Sequence, residues 1–160
     1  MSMGFYSNLI LIVVFGVMAA WLLTGAWRTR NLIYKDKLWS VYRILFVIAG
    51  GLCLLTGFLY TDLLDIIRLA LMTLCVIGFI LQRDGIGEEG IAVMGRIIKY
   101  EDIRSYDYGD YKKNSFRVYV VQESDPETKV ILTLPQDQKE EVIAFLKQKM
   151  GKKYTRMKKG

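Results

Sequence analysis

The sequence contains no histidine, only two cysteines and two prolines, and no charged residue before Arg28. Without histidine, the chain lacks the side chain best suited to proton transfer near neutral pH and the commonest metal ligand. Cys53 and Cys75 both fall in apolar stretches, which is typical of cysteines that pack as small hydrophobic side chains rather than as a disulfide framework. We therefore expect no catalytic residue, no metal site and no cofactor.

Charge is unevenly distributed along the 160 residues. Residues 1–81 carry six basic and three acidic side chains, residues 82–146 carry nine and thirteen, and residues 147–160 carry seven and none. The chain is 52% hydrophobic, and its apolar residues are concentrated before residue 82. This distribution indicates a membrane region, an acidic folded domain and a basic tail, rather than a uniformly basic protein.

Three stretches are apolar enough to be membrane spans, at about residues 8–27, 41–60 and 63–82. Each is close to the roughly 20 residues that a helix needs to cross the hydrocarbon core. In lipid only a helix satisfies all its own backbone polar groups. The first stretch lacks the basic start of a cleavable signal peptide, so we interpret it as a retained anchor.

The segment between the first two spans predicts the orientation. Together with the first residues of the second span, up to residue 43, it carries five basic residues and one acidic residue, Asp36. An excess of Lys and Arg in a short loop is typical of the cytoplasmic side. The sequence thus predicts a multi-pass plasma-membrane protein with its N-terminus outside and its C-terminal domain in the cytoplasm. The five basic residues are Arg28, Arg30, Lys35, Lys37 and Arg43.

Asp65 and Arg68 are the only charged residues within the third span. Their i, i+3 spacing places them on one helix face, where they can form an ion pair. Two interpretations remain open: the pair anchors the helix near the outer interface, or it belongs to a substrate or ion pathway. Small residues, Gly50 and Gly51 among them, are weak evidence for a homo-oligomer.

A G-x-G-x-x-G pattern occupies Gly85–Gly90, but we reject it as a dinucleotide-binding motif. That motif follows a strand and opens a helix whose N-terminus holds the pyrophosphate. Here the pattern follows an apolar span and precedes strand-forming sequence, and Glu88 and Glu89 would repel phosphate. We interpret these glycines as the exit from the membrane and the first hairpin.

Residues 85–150 predict an α+β domain, an antiparallel sheet followed by one helix. Strand-forming residues flank a predicted turn at Gly95, and 116–120 and 130–134 alternate between apolar and polar side chains. An apolar stripe from Val142 to Met150 predicts the helix, with a capping box and a terminating glycine. The residues assigned to these caps are Asp137, Glu140 and Gly151. We divide the chain into 1–84, 85–150 and a tail, 151–160.

The motif in the first half of this domain resembles one in small bacterial multi-pass membrane proteins with a C-terminal pleckstrin-homology-like domain. The resemblance implies an antiparallel sheet or half-barrel closed by one helix, serving as a platform for lipids, peptides or oligomerisation. It departs from the lipid-binding version at Glu88 and Glu89, where basic residues would hold phosphates. The residues that carry it are Gly90-Ile91, Gly95, Ile97-Ile98, Tyr100-Glu101-Asp102-Ile103 and Ser105-Tyr106.

Five tyrosines suggest a platform on which nucleic-acid bases would stack. Such a platform needs interleaved basic residues, and residues 82–146 are net acidic. We therefore interpret the tyrosines as sheet packing and do not expect nucleic acid as a partner. They are Tyr100, Tyr106, Tyr108, Tyr111 and Tyr119.

The tail is the densest charge feature. It would be attracted to anionic lipid of the inner leaflet, or to an acidic protein or nucleic acid, or it is a solvated disordered segment. Its basic residues are Lys147, Lys149, Lys152, Lys153, Arg156, Lys158 and Lys159.

From these features we predict a membrane-anchored, non-enzymatic interaction or regulatory module. Its domain would be held at the inner face of the membrane, with anionic lipid and an unidentified protein or a second copy as partners. An accessory subunit of a transporter or channel, using Asp65 and Arg68, is the alternative.

Overall fold

The computed structural model of the chain describes residues 3–37, 41–56 and 62–156, with side chains from Tyr6 onward. Within these residues the protein is α+β, as the sequence predicts, and its sheets are antiparallel. The chain divides into two compact units. The helical unit comprises Met1–Trp27 and Leu38–Gln82, and the sheet unit comprises Arg28–Lys37 and Arg83–Gly160.

Three helices form the helical unit: α1 (Met3–Arg28), α2 (Val41–Thr56) and α3 (Leu63–Leu81). Two of them are long and apolar enough to cross a membrane, with mean hydropathies of 2.5 for Tyr6–Arg28 and 2.3 for Leu63–Leu81. Only 17% and 11% of these apolar windows is buried, whereas the core helix of a soluble protein is mostly buried. This exposed apolar surface indicates membrane association.

The second predicted span is described only in part. Its helix, α2, covers 16 residues and is apolar but shorter than the other two. Residues 57–60, which the sequence analysis assigned to the same span, lie outside the described residues.

Small residues bring the three helices close together. Ala19, Leu22 and Cys75 form a small buried core. A side chain at Gly50 would place its Cβ 2.6 Å from Cγ2 of Val76, so α2 and α3 approach closely at this glycine. Gly50, which we considered as evidence for self-association, therefore has a packing role within one chain, while Gly51 faces open space.

The sheet unit contains a four-stranded antiparallel sheet in the order β1-β2-β3-β4. The predicted hairpin turn is confirmed: Met94 and Gly95, between β3 and β4, both have positive φ, at 51° and 76°, as a two-residue turn of this kind requires. The strands are β1 (Tyr34–Lys35), β2 (Gly85–Ile86), β3 (Gly90–Val93) and β4 (Arg96–Lys99).

A three-stranded antiparallel sheet follows, in the order β5-β6-β7. The predicted alternation is confirmed, because Phe116, Val118 and Val120 of β6 are fully buried while the residues between them are partly exposed. A short 3-10 turn, Tyr100–Asp102, leads into this sheet, and Ile103 is buried as expected. The strands are β5 (Ile103–Lys112), β6 (Ser115–Gln122) and β7 (Lys129–Pro135).

Helix α4 (Lys139–Met150) buries Val142, Leu146 and Met150 in the core of the sheet unit. The predicted capping box is wrong: the residue at the N-cap is Gln138, and its side chain makes no capping hydrogen bond, because a 3-10 turn at Gln136–Gln138 precedes the helix. The predicted role of Gly151 is also wrong. Its φ is −50°, so the backbone stays right-handed and continues into a 3-10 turn, Gly151–Lys153.

The first strand of the sheet unit comes from the loop that the sequence analysis assigned to the membrane region. Tyr34 and Lys35 pair with Ile86 and Gly85, and the amide of Ile33 donates to the carbonyl of Ile86 at 2.9 Å. Leu32 is buried, and the Tyr34 ring meets the Phe145 ring of α4 edge-on, with centroids 5.8 Å apart. This loop is therefore part of a sheet and of its core.

The close approach of β1 depends on a glycine, which provides a test. A Cβ at Gly85 would lie 2.1 Å from the carbonyl oxygen of Tyr34, so Gly85→Ala must push β1 away from β2. We expect this substitution to destabilise the sheet unit by about 2 kcal/mol, in the range of other backbone clashes.

The matched control is Gly151→Ala, because a Cβ there meets no atom within 4 Å and the backbone is right-handed. Thermal unfolding of both full-length variants in detergent gives the comparison. Equal stability of the two variants would contradict the close pairing of β1 with β2.

Candidate functional site

A polar triad lies within the helical unit. The predicted ion pair is present: a guanidinium nitrogen of Arg68 lies 3.2 Å from a carboxylate oxygen of Asp65. Asn8 of α1 joins the pair, since its amide donates to Asp65 at 3.2 Å and its side-chain oxygen accepts from Arg68 at 2.8 Å. The three side chains thus link α1 to α3 by hydrogen bonds.

The role of Asn8 was not predicted, although the sequence contains a signal for it. Asn8 is the only amide side chain among residues 1–30 and stands where the first apolar run begins. Polar side chains between membrane helices pair with one another, because unpaired polar groups are costly in hydrocarbon. The triad satisfies both the acid and the base without a ligand, which favours a helix-linking role, and it leaves Asp65 and Arg68 partly exposed, at 19% and 17% of their side-chain surfaces.

Arg43, counted above as a basic residue of the loop, is buried. It is 7% exposed, and its guanidinium donates to the carbonyl oxygen of Gln82 at 2.9 Å. A cation at the C-terminus of α3 meets carbonyl groups that have no partner within the helix. Arg43 therefore helps to hold α2 against α3 and contributes little to the exposed charge of the loop.

An arginine beyond α3 contacts the acidic residue of the loop. Arg83 donates to the carboxylate of Asp36 at 2.7 Å and also to the Asp36 carbonyl, which fixes the two chain segments of the sheet unit to each other. Arg28, Arg30 and Lys37 are exposed.

The basic tail is only partly free. Lys149 forms an ion pair with Glu88 at 2.6 Å, and Lys153 donates to the carbonyl oxygens of Tyr100 and Glu101 at 2.9 and 3.1 Å. Glu88 is one of the acids by which the sequence departs from lipid-binding domains. Lys147, Lys152 and Arg156 are exposed, and Lys158 and Lys159 lie outside the described residues.

An aromatic contact orders the tail up to residue 156. Tyr154 forms a parallel bridge with Tyr106 of β5, and the amide of Thr155 donates to the Tyr106 carbonyl at 3.0 Å. The Tyr154 ring lies 5.6 Å from the Tyr106 ring and 5.3 Å from the Tyr108 ring. The first residues of the tail thus lie alongside β5.

The five tyrosines do not form a common stacking surface. Tyr106 is fully buried, which raises the pKa of its hydroxyl. Tyr119 lies on the opposite face of the sheet, since it pairs with Asp107, the neighbour of Tyr106 in β5. Tyr100 is half-buried and donates to the Gly87 carbonyl at 2.6 Å. Burial, and then the charge of Glu88, raise the pKa of Tyr100 far above its usual range.

The glycine pattern at residues 85–90 joins two strands. Gly85 belongs to β2 and Gly90 to β3, and the Gly87 amide donates to the Gly90 carbonyl at 2.9 Å. No helix follows, so the pattern does not present the helix N-terminus that a pyrophosphate needs. Across the residues that the structure describes, no group of three or more His, Cys, Asp or Glu side chains is placed to hold a metal ion.

Residues 82–151 match the model of a family described as a domain of unknown function (DUF5673). The match covers less than half of the chain and corresponds to the second chain segment of the sheet unit, from β2 to the end of α4. Neither the curated proteins nor the solved structures contain a match to this chain.

The triad predicts an energetic coupling between helices. Asn8→Ala and Asp65→Asn each remove part of one shared hydrogen-bond network, so the double variant should lose less stability than the two single losses added together. Interhelical hydrogen bonds in membranes suggest a coupling energy of about 1 kcal/mol. Unfolding of the full-length chain in mixed detergent micelles measures it.

The control cycle pairs Asn8→Ala with Thr73→Val, because Thr73 donates to Leu69 within its own helix. This control should be additive. Additivity of the Asn8 and Asp65 substitutions as well would show that the triad does not link α1 to α3.

Proposed function

We propose that this protein is a membrane-anchored, non-enzymatic interaction or regulatory module that presents a pleckstrin-homology-like domain at the inner face of a bacterial plasma membrane. The observation that carries the proposal is the construction of the sheet unit from two chain segments. One segment continues from the end of α1 and the other from the end of α3. A compact unit built in this way is tethered to the membrane helices at both segments.

The order of elements supports the resemblance to pleckstrin-homology folds. Two antiparallel sheets are followed by a single C-terminal helix, α4, whose apolar side contributes Val142, Leu146 and Met150 to the core. The residues that carry the resemblance occupy the strands and turns from Gly90 to Tyr106. In our proposal this sheet is a half-barrel closed by α4, and its exposed surface is the platform for a partner.

The connectivity also supports three membrane spans with the C-terminal domain inside. In our proposal the end of α1, the start of α2 and the end of α3 face one side of the bilayer, because β1 follows α1 and precedes α2, and β2 follows α3. One crossing by α1 and a hairpin of α2 and α3 meet this requirement. The exposed bases Arg28, Arg30 and Lys37 favour the cytoplasm for that side.

The partner that the charges favour is anionic lipid of the inner leaflet. Lys147, Lys152 and Arg156 are exposed. Lys147 belongs to α4, and the contact of Tyr154 with β5 holds the neighbouring tail residues on a domain that is already tethered. Each basic residue near an anionic surface gains about 1 kcal/mol, less after screening by salt. Tethering raises the effective concentration of lipid headgroups above that of competing polyanions.

A second candidate function, an accessory subunit of a transporter or channel, rests on the triad of Asn8, Asp65 and Arg68. Ionisable groups within membrane helices often mark ion or substrate pathways. In this candidate the functional effect of substituting Arg68 would exceed the effect of substituting exposed residues of the sheet unit. The first proposal predicts the reverse.

The lipid proposal is tested with the full-length chain in nanodiscs. A bimane fluorophore is attached at Thr155→Cys in a background with Cys53→Ala and Cys75→Ala, and nitroxide-labelled lipid headgroups quench it. We expect stronger quenching in discs that contain anionic lipid than in neutral discs, with a loss of the difference at high salt. The variant Lys147→Gln/Lys152→Gln/Arg156→Gln should lose the difference as well.

The matched control removes the same charge elsewhere, by Arg104→Gln/Lys112→Gln/Lys113→Gln, and should quench like the parent chain. Equal quenching in neutral and anionic discs would contradict lipid recognition.

Reaction of the same single cysteine with a membrane-impermeant maleimide tests orientation. Labelling in inside-out vesicles but not in intact cells is expected, and the opposite pattern would reverse the topology.

A further inference from the structure

The turn between β3 and β4 contains a backbone conformation that one of its residues does not favour. Val93 pairs with Arg96, which leaves Met94 and Gly95 as a two-residue loop, and both have positive φ. Such loops favour Asn-Gly, Asp-Gly or Gly-Gly, because these residues adopt left-handed conformations at little cost. Among the residues that the structure describes, Met94 is the one non-glycine residue with positive φ.

Met94 is also strongly exposed. At 69%, it is more exposed than any other large apolar residue in the described part of the sheet unit. Its side chain therefore gains little packing energy that could offset the strain of its backbone. Asparagine at this position would relieve the strain and place a polar group in water. A residue that is both strained and apolar in water suggests a role beyond the folding of the turn.

The turn lies at the end of the sheet where the chain arrives from α3. The Met94 amide donates to the carboxylate of Asp84 at 2.7 Å, and the Asp84 carbonyl accepts from the amide of Asp36. Asp84 is three residues beyond Leu81, the last residue of α3. At no more than about 3.6 Å per residue, the chain keeps Asp84 within roughly 11 Å of the end of this helix.

Two exposed basic residues lie at the same end of the sheet as Met94. Arg96 follows the turn directly, and Lys37 is the residue after Asp36. The other turn of this sheet, between β2 and β3, instead carries Glu88 and Glu89, both exposed. An apolar side chain with basic neighbours favours the interface of a membrane, where the apolar group leaves water and the charges remain among the headgroups.

We propose that the β3–β4 turn is a membrane contact, in which the Met94 side chain inserts between the lipids of the leaflet next to the sheet unit. The inference rests on the proposed function, because it requires this unit to lie at a membrane, but it assigns a surface separate from the basic tail. The methionine side chain is flexible and apolar, so it can enter the lipid while Arg96 stays at the headgroups. Insertion removes its apolar surface from water, which offsets the strain of the turn.

This contact would limit the tilt of the sheet unit. Ile91 and Ala92 of β3 are fully buried, so the turn continues a strand that is fixed in the core. A lipid contact at Met94 therefore acts on the whole sheet, whereas tethering by the chain alone leaves the sheet free to tilt. The acidic turn at Glu88 and Glu89, at the other end of β3, would then face away from the membrane.

The test observes Met94 itself, by NMR of the full-length chain with labelled methionine methyl groups in phosphatidylcholine nanodiscs. A nitroxide-labelled lipid and a water-soluble gadolinium chelate are added in separate samples. We expect the lipid nitroxide to broaden the Met94 signal severalfold more than the signal of Met150, which is 3% exposed in the core of the sheet unit. Gadolinium should broaden the Met94 signal only weakly. These discs contain no anionic lipid, so the result does not depend on the tail.

Met18 of α1 is the control for the membrane itself, because it is 41% exposed on an apolar helix. If the lipid nitroxide broadens neither Met18 nor Met94, the membrane proposal fails and this inference fails with it. Lipid broadening of Met18 alone, with strong gadolinium broadening of Met94, would overturn this inference and leave the membrane proposal in place. Protection of Met94 from both agents would indicate a protein contact and would also overturn insertion.

Two substitutions separate insertion of the side chain from mere proximity of the turn to lipid. Met94→Leu keeps an apolar side chain, and Met94→Asn supplies a residue that the turn favours. The lipid nitroxide should broaden the amide signal of Gly95 equally in the parent chain and in Met94→Leu, and severalfold less in Met94→Asn. Equal broadening in all three chains would show that Met94 does not insert, which would overturn the inference.

Discussion

The pairing of β1 with β2 is the interaction on which the sheet unit depends. It joins Tyr34–Lys35 to Gly85–Ile86, segments about fifty residues apart in sequence, and Arg83 reinforces it through its contacts with Asp36. Closing so long a loop costs conformational entropy, which the buried side chains of Leu32 and Ile86 help to offset. The helices α2 and α3 lie between the two paired segments in the sequence, so the sheet unit cannot form from one continuous stretch of chain.

The elements that the sequence predicts correctly are those with strong local patterns. The long apolar runs correspond to α1 and α3, and alternation predicts β6 and the inward residues of β7. The two-residue strand β1 has no such pattern, because its sheet contacts come from residues far along the chain and charged residues surround it. Both ends of α4 were mispredicted, because the chain forms a 3-10 turn immediately before this helix and another immediately after it. Capping rules do not anticipate such turns.

The difference between local sequence patterns and long-range contacts also applies to the candidate sites. The Asp65–Arg68 pair follows from i, i+3 spacing on one helix, whereas Asn8 is 57 residues from Asp65 and joins only through helix packing. Likewise, the density of lysine in the tail is obvious in the sequence, but the contacts of Lys149 with Glu88 and of Tyr154 with β5 are long-range.

Residue-resolved amide hydrogen exchange of the full-length chain in nanodiscs tests the central claim, that the loop after α1 is a strand of the sheet unit, most directly. The amides of Ile33 and Asp36 donate to the carbonyls of Ile86 and Asp84, so both should exchange slowly, like the paired amides of β5 and β6. Exchange of these two amides at the rate of an unstructured loop, while β5 and β6 remain protected, would contradict the account.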